Sequence, residues 1–334
     1  MSKATPQEET HLLLHAFEAE VKAEQARLLQ LGIELSFQSK PGKPIYRLDP
    51  ERFRELVLNF LRDQTPQIYR LLSSPHGVLT PLGLQMMLLS DLDQLDPAGE
   101  EYLKQLDGAL TKLACDRHDL KPWGKRLKSL KADIEVLSYI GEVAVAAALL
   151  SLLPKSRVVP EPETNGGKHA DLKVTTLDGR SLYAEVKCFR DDFYDSAAQI
   201  DSRSRPYLWR VKELRSKLDG NGKGGVPEQL PPDTANLLFV MDVQSGYEGN
   251  VATRSGKSCN LELALCDQQG GLFVAKSTQE RWSRVGAGYR FAFWNRALVA
   301  DRYDNPNAPE ILHLFPELSN LGAPPQDYLE FFAM

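Results

Sequence analysis

Ala170–Cys188 reads ADLKVTTLDGRSLYAEVKC, and its alternation decides the fold. Two short strands flank a tight turn. In the second, Leu182, Ala184, Val186 and Cys188 face one way; Tyr183, Glu185, Lys187 and Phe189 face the other. A two-residue loop at Asp178-Gly179 would set Leu172 against Glu185 and mix the faces. A three-residue loop, Leu177-Asp178-Gly179, puts Gly179 in the left-handed position of a bulged turn. It opposes Val174 to Leu182, Leu172 to Ala184 and Asp171 to Glu185. Apolar pairing fixes register, so the second arrangement is preferred. It sets two carboxylates side by side with a lysine on the same face. Opposed like charges destabilise a sheet. A raised pKa on one carboxylate, or a divalent cation between them, would relieve the repulsion.

Outward from the hairpin, Asp133–Leu153 has the periodicity of a helix that stops before Pro154. Ile134, Leu137, Gly141, Ala144 and Ala148 form a narrow face suited to close packing on a sheet, and Glu142 lies beside it. Ser156–Val159 is a first strand. A helix is expected from about Pro206 to Leu218, with Leu208, Val211, Leu214 or Arg215, and Leu218 inward. Asn236–Val243 (NLLFVMDV) is a buried strand. Leu261–Leu265 and Leu272–Ala275 are expected to form a further hairpin, and Phe291–Ala300 a strand.

An aspartate, thirteen intervening residues and then Glu185-Val186-Lys187, on a hairpin after a helix, resemble the PD-(D/E)xK nuclease superfamily. The resemblance covers roughly Asp133 to Val243. It implies a restriction-endonuclease-like α/β core, αβββαβ, with a mixed sheet flanked by helices. It implies Mg²⁺, with Mn²⁺ substituting, on Asp171, Glu185 and the Val186 carbonyl. Glu142 matches the place of a carboxylate on the helix before the first strand and would hold a second metal or water. Lys187 would orient or deprotonate the attacking water, or stabilise charge in the transition state. The sequence departs from the family pattern in having Ala170, not proline, before Asp171. The plain alternative is an ordinary hairpin with a surface salt bridge; Glu20-Val21-Lys22 carries the same three letters in a helical pattern.

The first 130 residues read as a mainly helical accessory domain: a helix over 5–30, a hairpin over Ile33–Leu48, a helix from Asp49-Pro50 to about Leu72, and helices over 80–91 and 98–115. A winged-helix-like DNA reader is the competing description, but no basic recognition helix stands out. This acidic region would offer a docking surface to a protein partner. Lys121–Lys131 (KPWGKRLKSLK) reads as a basic connection to the second domain, 131–334, which ends in a β extension.

The net charge of −5 argues against a simple basic coat for nucleic acid. Basic residues exceed acidic ones only in the middle of the chain, 19 against 15 over residues 121–230. Arg203, Arg205, Arg210, Lys212 and Lys217 make its densest basic stretch, beside the proposed site. They suit tracking of phosphates or, equally, a solvated helix face. No apolar run reaches the length of a membrane span, the longest being Val143–Leu153, and the first residues have no apolar signal core. Four scattered cysteines suit free thiols in a reducing cytoplasm. Cys115 and His118 lack a second pair for zinc, and Arg254–Ser258 lacks the glycine and the strand-to-helix setting of a P-loop.

These readings lead to a Mg²⁺-dependent nuclease, most simply a DNA endonuclease. By analogy alone, a restriction or defence role fits a nuclease with an extra domain. The alternatives are a silent nuclease-like fold that binds nucleic acid or protein, and a structural component of a larger complex.

Overall fold

A computed structural model gives the architecture. It describes residues 34–36, 45–47, 50–89, 94–164, 167–189, 205–220, 224–232, 234–242, 260–294, 297–308 and 311–321. The helix expected over 5–30 lies outside these residues, as do Arg203 and the P-loop imitation.

Strands β1 (Glu34–Ser36) and β2 (Ile45–Arg47) pair antiparallel, as the alternation of Ile33, Leu35 and Phe37 led one to expect. The helix expected from Pro50 to Leu72 is two helices, α1 (Pro50–Gln64) and α2 (Pro66–Leu72). Pro66 explains the break, because its ring removes one backbone donor and crowds the preceding turn. A two-residue hairpin follows, β3 (Ser73–Ser74) with β4 (Gly77–Val78), then α3 (Leu82–Leu88) and α4 (Pro97–Cys115). Asp96 caps α4 by accepting the Gly99 N–H at 3.0 Å. The buried Asp107 of α4 accepts the Ile68 N–H at 2.8 Å and so satisfies a free donor in the first turn of α2.

Residues 121–131 are not a connecting loop. Lys121–Ser129 forms α5, with Trp123 and Leu127 buried. Trp123 and Leu127 are four apart, and Pro122 occupies the first turn, where it is tolerated. Packing of that stripe overrides the solvated look of the lysines.

Helix α6 (Asp133–Leu152) is the centre of the molecule. It packs on α3 and α4 and on strand β7 of the main sheet. It is apolar on almost every side and, contrary to expectation, long and apolar enough by composition to cross a membrane. Its burial shows a different use, as a core helix between two layers. One apolar core runs from Val57 through α6 to Leu321, across the boundary expected near residue 130.

The main sheet has six strands: β5 (Arg157–Pro160), β6 (Leu172–Thr175), β7 (Ser181–Phe189), β8 (Ala235–Asp242), β9 (Ala287–Trp294) and β10 (Ala297–Asp304). Their order is β10-β9-β8-β7-β6-β5. Strands β7, β8 and β9 run parallel, and the other neighbours are antiparallel. The β6–β7 register pairs Leu172 with Ala184 and Val174 with Leu182, as the apolar pattern required. Gly179 has φ +85°, the left-handed conformation a three-residue loop needs.

Both sheet faces are covered. Leu237, Phe239 and Met241 of β8 join the α6 core, while Leu238 and Val240 join a second core. That second core contains Val211, Leu214 and Leu218 of α7 (Arg205–Asp219), reached before the short α8 (Val226–Gln229). It also contains Leu261 and Leu265 of α9 (Asn260–Cys266) and Trp282 of α10 (Gln279–Trp282).

Two expectations fail here. Residues 260–266 are helical, not the first strand of a hairpin, and 272–274 is a turn. Leu261, Ala264 and Leu265 have the i, i+3, i+4 spacing that buries one side of a helix. The single strand expected at Phe291–Ala300 is the hairpin β9–β10, with Trp294 paired to Ala297. Helix α11 (Ile311–Leu314) closes the described chain with a 3₁₀ turn at Pro316–Asn320.

Candidate active site

The site forms where β7 outruns β6. The β6–β7 ladder ends at Leu172 and Ala184, and β7 continues past it with no strand paired on that side among the described residues. Asp171, the residue before β6, closes part of the gap. Its Oδ2 accepts the Val186 N–H at 2.7 Å, taking the place of a ladder carbonyl. The side chain thus satisfies a strand donor and is fixed by doing so.

Glu185 and Lys187 lie on the β7 face shared with Tyr183, which packs toward α7. Glu185 is fully buried, and its Oε1 accepts from Lys187 Nζ. Its Oε2 is buried and makes no well-aligned hydrogen bond among the described residues, while the Asp171 backbone N–H helps hold the carboxyl. Glu142 arrives from α6, on the opposite side of the sheet. That helix comes in closely because Gly141 has no side chain: a β-carbon there would lie 3.2 Å from Met241 Sδ, 3.3 Å from Val186 Cγ1 and 3.4 Å from Phe291 Cζ. Glu142 is only 2% exposed.

The carboxylates perturb one another. Burial raises Glu142 well above the usual range, helped by Asp171 and Glu185 and opposed by Arg126. Burial, then repulsion from Asp171, pushes Glu185 up to about 8 against the pull of Lys187. Asp171 is raised by burial, although Lys187 and its hydrogen bond from Val186 hold it down. For Lys187, burial acts to lower the pKa, but Glu185 and Asp171 outweigh it and the ammonium is stabilised.

Two residues of this group were missed in the sequence. Arg126 Nη2 donates to Glu142 Oε1 at 2.5 Å, and Nη1 contacts Glu142 Oε2. Nη1 also lies 3.3 Å from Glu161 Oε1. The signal for Arg126 was the Trp123, Leu127 spacing, which makes 121–129 an amphipathic helix. Glu161 has φ +48°, unusual for a residue with a side chain, and its N–H donates to the Asp171 carbonyl at 2.9 Å. Nothing in the sequence around it announces that conformation.

The structure therefore brings Glu142, Asp171, Glu185, Val186 and Lys187 together. Lys212 and Lys217 are exposed on α7, which covers the face bearing Glu185 and Lys187. Arg205 and Arg210 belong to the same helix, but their side chains lie outside the described residues. Arg215 is tied to Asp267 at 2.8 Å and to the Leu263 carbonyl at 2.7 Å, so it fastens α7 to α9. His169 Nδ1 lies 3.2 Å from the Glu161 carbonyl, on the loop leading to Asp171.

Among the described residues no three His, Cys, Asp or Glu side chains form a ready-made metal cage. The residues that could hold a small hard cation are the Glu185 carboxyl, with one oxygen on Lys187, and Asp171 beside it. Mg²⁺ takes one or two carboxylates and retains several waters, so it does not need a cage.

Comparison of the chain with family models, curated proteins and solved structures finds no match.

Proposed function

We propose that this protein is a divalent-metal-dependent nuclease of the PD-(D/E)xK type, with a restriction-endonuclease-like core, acting on DNA. The observation that carries the reading is the buried Glu185 carboxyl set beside Asp171 and Lys187 past the end of the β6–β7 ladder, its Oε2 making no well-aligned hydrogen bond among the described residues. A buried acceptor without a well-aligned donor is costly, and a cation would satisfy it. The element order α6, β5, β6, β7, α7, β8 agrees with the core that the sequence resemblance implies.

Phosphodiester hydrolysis needs a positioned water and relief of charge on the phosphate. Asp171 and Glu185 would hold Mg²⁺ or Mn²⁺. When bound, such a cation polarises phosphate and lowers the pKa of its water. Asp171 is fixed by the Val186 N–H. Lys187, kept charged by Glu185 and Asp171, supplies the cation that orients the water or meets the developing negative charge. Helix α7 presents Lys212 and Lys217 on that side of the sheet for phosphate contact.

A second reading has one observation in its favour: Lys187 pairs with Glu185, and Arg126 with Glu142, so much of the carboxylate charge is balanced without a metal. That balance suits a nuclease-like fold that binds nucleic acid or protein without cutting. Plasmid nicking by purified protein in Mg²⁺ or Mn²⁺ separates the two. Cleavage lost in chelator and in Asp171→Asn and Glu185→Gln supports the nuclease. Absence of cleavage of single-stranded, duplex and branched DNA by folded, metal-loaded protein favours the binding module.

A further inference from the structure

Glu142 and Glu185 are both buried carboxylates in the same group, yet their surroundings differ. Both Nη atoms of Arg126 meet the two oxygens of Glu142. Glu185 has Oε1 on Lys187 and draws on the Asp171 backbone N–H, but it has no guanidinium, and among the described residues its Oε2 makes no well-aligned hydrogen bond. Glu142 Oε2 also lacks a well-aligned hydrogen bond, but it is in contact with Nη1 of the guanidinium. A two-pronged guanidinium is the strongest counter-ion a side chain can give a carboxylate.

Arg126 is held on its own side as well. Helix α5 is anchored by buried Trp123 and Leu127. Tyr139 of α6 donates its hydroxyl to the Trp123 carbonyl at 2.9 Å, and the two rings lie 6.3 Å apart. The guanidinium carbon of Arg126 lies 6.0 Å from the centre of the Tyr139 ring. Glu161 adds a second carboxylate contact, and its backbone is bonded to the Asp171 carbonyl. The side chain is 22% exposed, so a shift into solvent would give up a largely buried setting. A cation ligated by Glu142 would have to displace this guanidinium or lie against its like charge.

Building on the nuclease reading, we propose that Arg126 is a positioning residue that keeps Glu142 out of the cation's ligand set, leaving Asp171 and Glu185 as the carboxylates of a single-cation site. Glu142 then shapes the site through Arg126 and Glu161. The stretch whose basic composition read as a connection becomes a helix that walls the site.

The test is Mn²⁺ binding by calorimetry to the metal-free full chain, with circular dichroism as the check on folding. Wild type should bind one ion. Glu185→Gln, which removes a ligand, should abolish measurable binding, whereas Glu142→Gln should keep the wild-type stoichiometry of one ion with a smaller loss of affinity, as for a group that acts on the ligands from outside. Arg126→Gln, if it folds, should expose Glu142 and add a second ion; Arg126→Lys should restore a single one. If Arg126→Gln fails to fold, the Glu142→Gln result decides. A folded Glu142→Gln that loses affinity as Glu185→Gln does would overturn the inference and leave the nuclease reading standing. A folded wild type that binds no Mn²⁺ would overturn the metal-dependent reading and the inference with it.

Discussion

Replacing Glu185 by Gln should make the metal-free protein more stable at alkaline pH. Glu185 is fully buried, and its pKa is raised from 4.5 to about 8, by burial first and by Asp171 second. The sign follows from proton counts. Between 4.5 and about 8 the folded state holds a proton on Glu185 that the unfolded state has released, so stability falls as pH rises. The contribution is fully present below the unfolded pKa and is lost as pH passes through the folded one. At 1.36 kcal/mol per pH unit, the loss from this group is roughly 3 kcal/mol at pH 7 and between about 4 and 5 kcal/mol above pH 8. Glutamine cannot ionise and has nearly the same shape. Urea unfolding in chelator should therefore give similar stabilities for wild type and Glu185→Gln at pH 5, with the variant gaining as pH rises. The gain is reduced by whatever Lys187 loses when its partner becomes neutral. Glu142 and Asp171 are raised in the same direction, so the variant should retain part of the slope. A variant less stable than wild type at pH 8.5 would refute the reasoning, since it would mean that ionised Glu185 stabilises the fold.

Three further outcomes are expected. Lys187→Ala should leave Mn²⁺ binding and circular dichroism unchanged while slowing plasmid nicking by about 10²–10⁴-fold, the usual worth of a positioned proton-transfer or charge-stabilising group; cleavage at the wild-type rate would remove Lys187 from the mechanism. Gly141→Ala should lower stability by about 1–3 kcal/mol in urea unfolding, because the new methyl meets Met241, Val186 and Phe291. That cost opposes the gain of roughly 1 kcal/mol that alanine brings to a helix, and net stabilisation would show that α6 is free to move away from the sheet. The triple variant of Arg210, Lys212 and Lys217 to alanine should flatten the salt dependence of DNA binding by roughly 0.9 in log–log slope for each phosphate that is no longer neutralised; an unchanged slope would make α7 a solvated face.

The sequence by itself determined those parts of the fold that depend on short periodicities. Alternation over Ala170–Cys188, with Gly179 in the turn, set the β6–β7 register to the residue, since a slip by one would send Leu172, Val174, Leu182 and Ala184 to the wrong face. It thereby put Asp171, Glu185 and Lys187 in one neighbourhood. Apolar spacing found α6, and the run NLLFVMDV found β8, because each pattern is complete within one element. Only the tertiary structure decided the rest. The basic letters of 121–131 pointed to solvent, but burial of Trp123 and Leu127 made them a helix and brought Arg126 to Glu142, sixteen residues away. The apolar runs at 261–266 and 272–275 are each too short for periodicity to separate strand from helix, so the choice waited until Leu261, Ala264 and Leu265 met the second core. The degree of burial that raises Glu185 to about 8 has no local code at all. It arises because elements distant in sequence exclude water from one carboxylate, and desolvation is a property of the packed whole rather than of any stretch of chain.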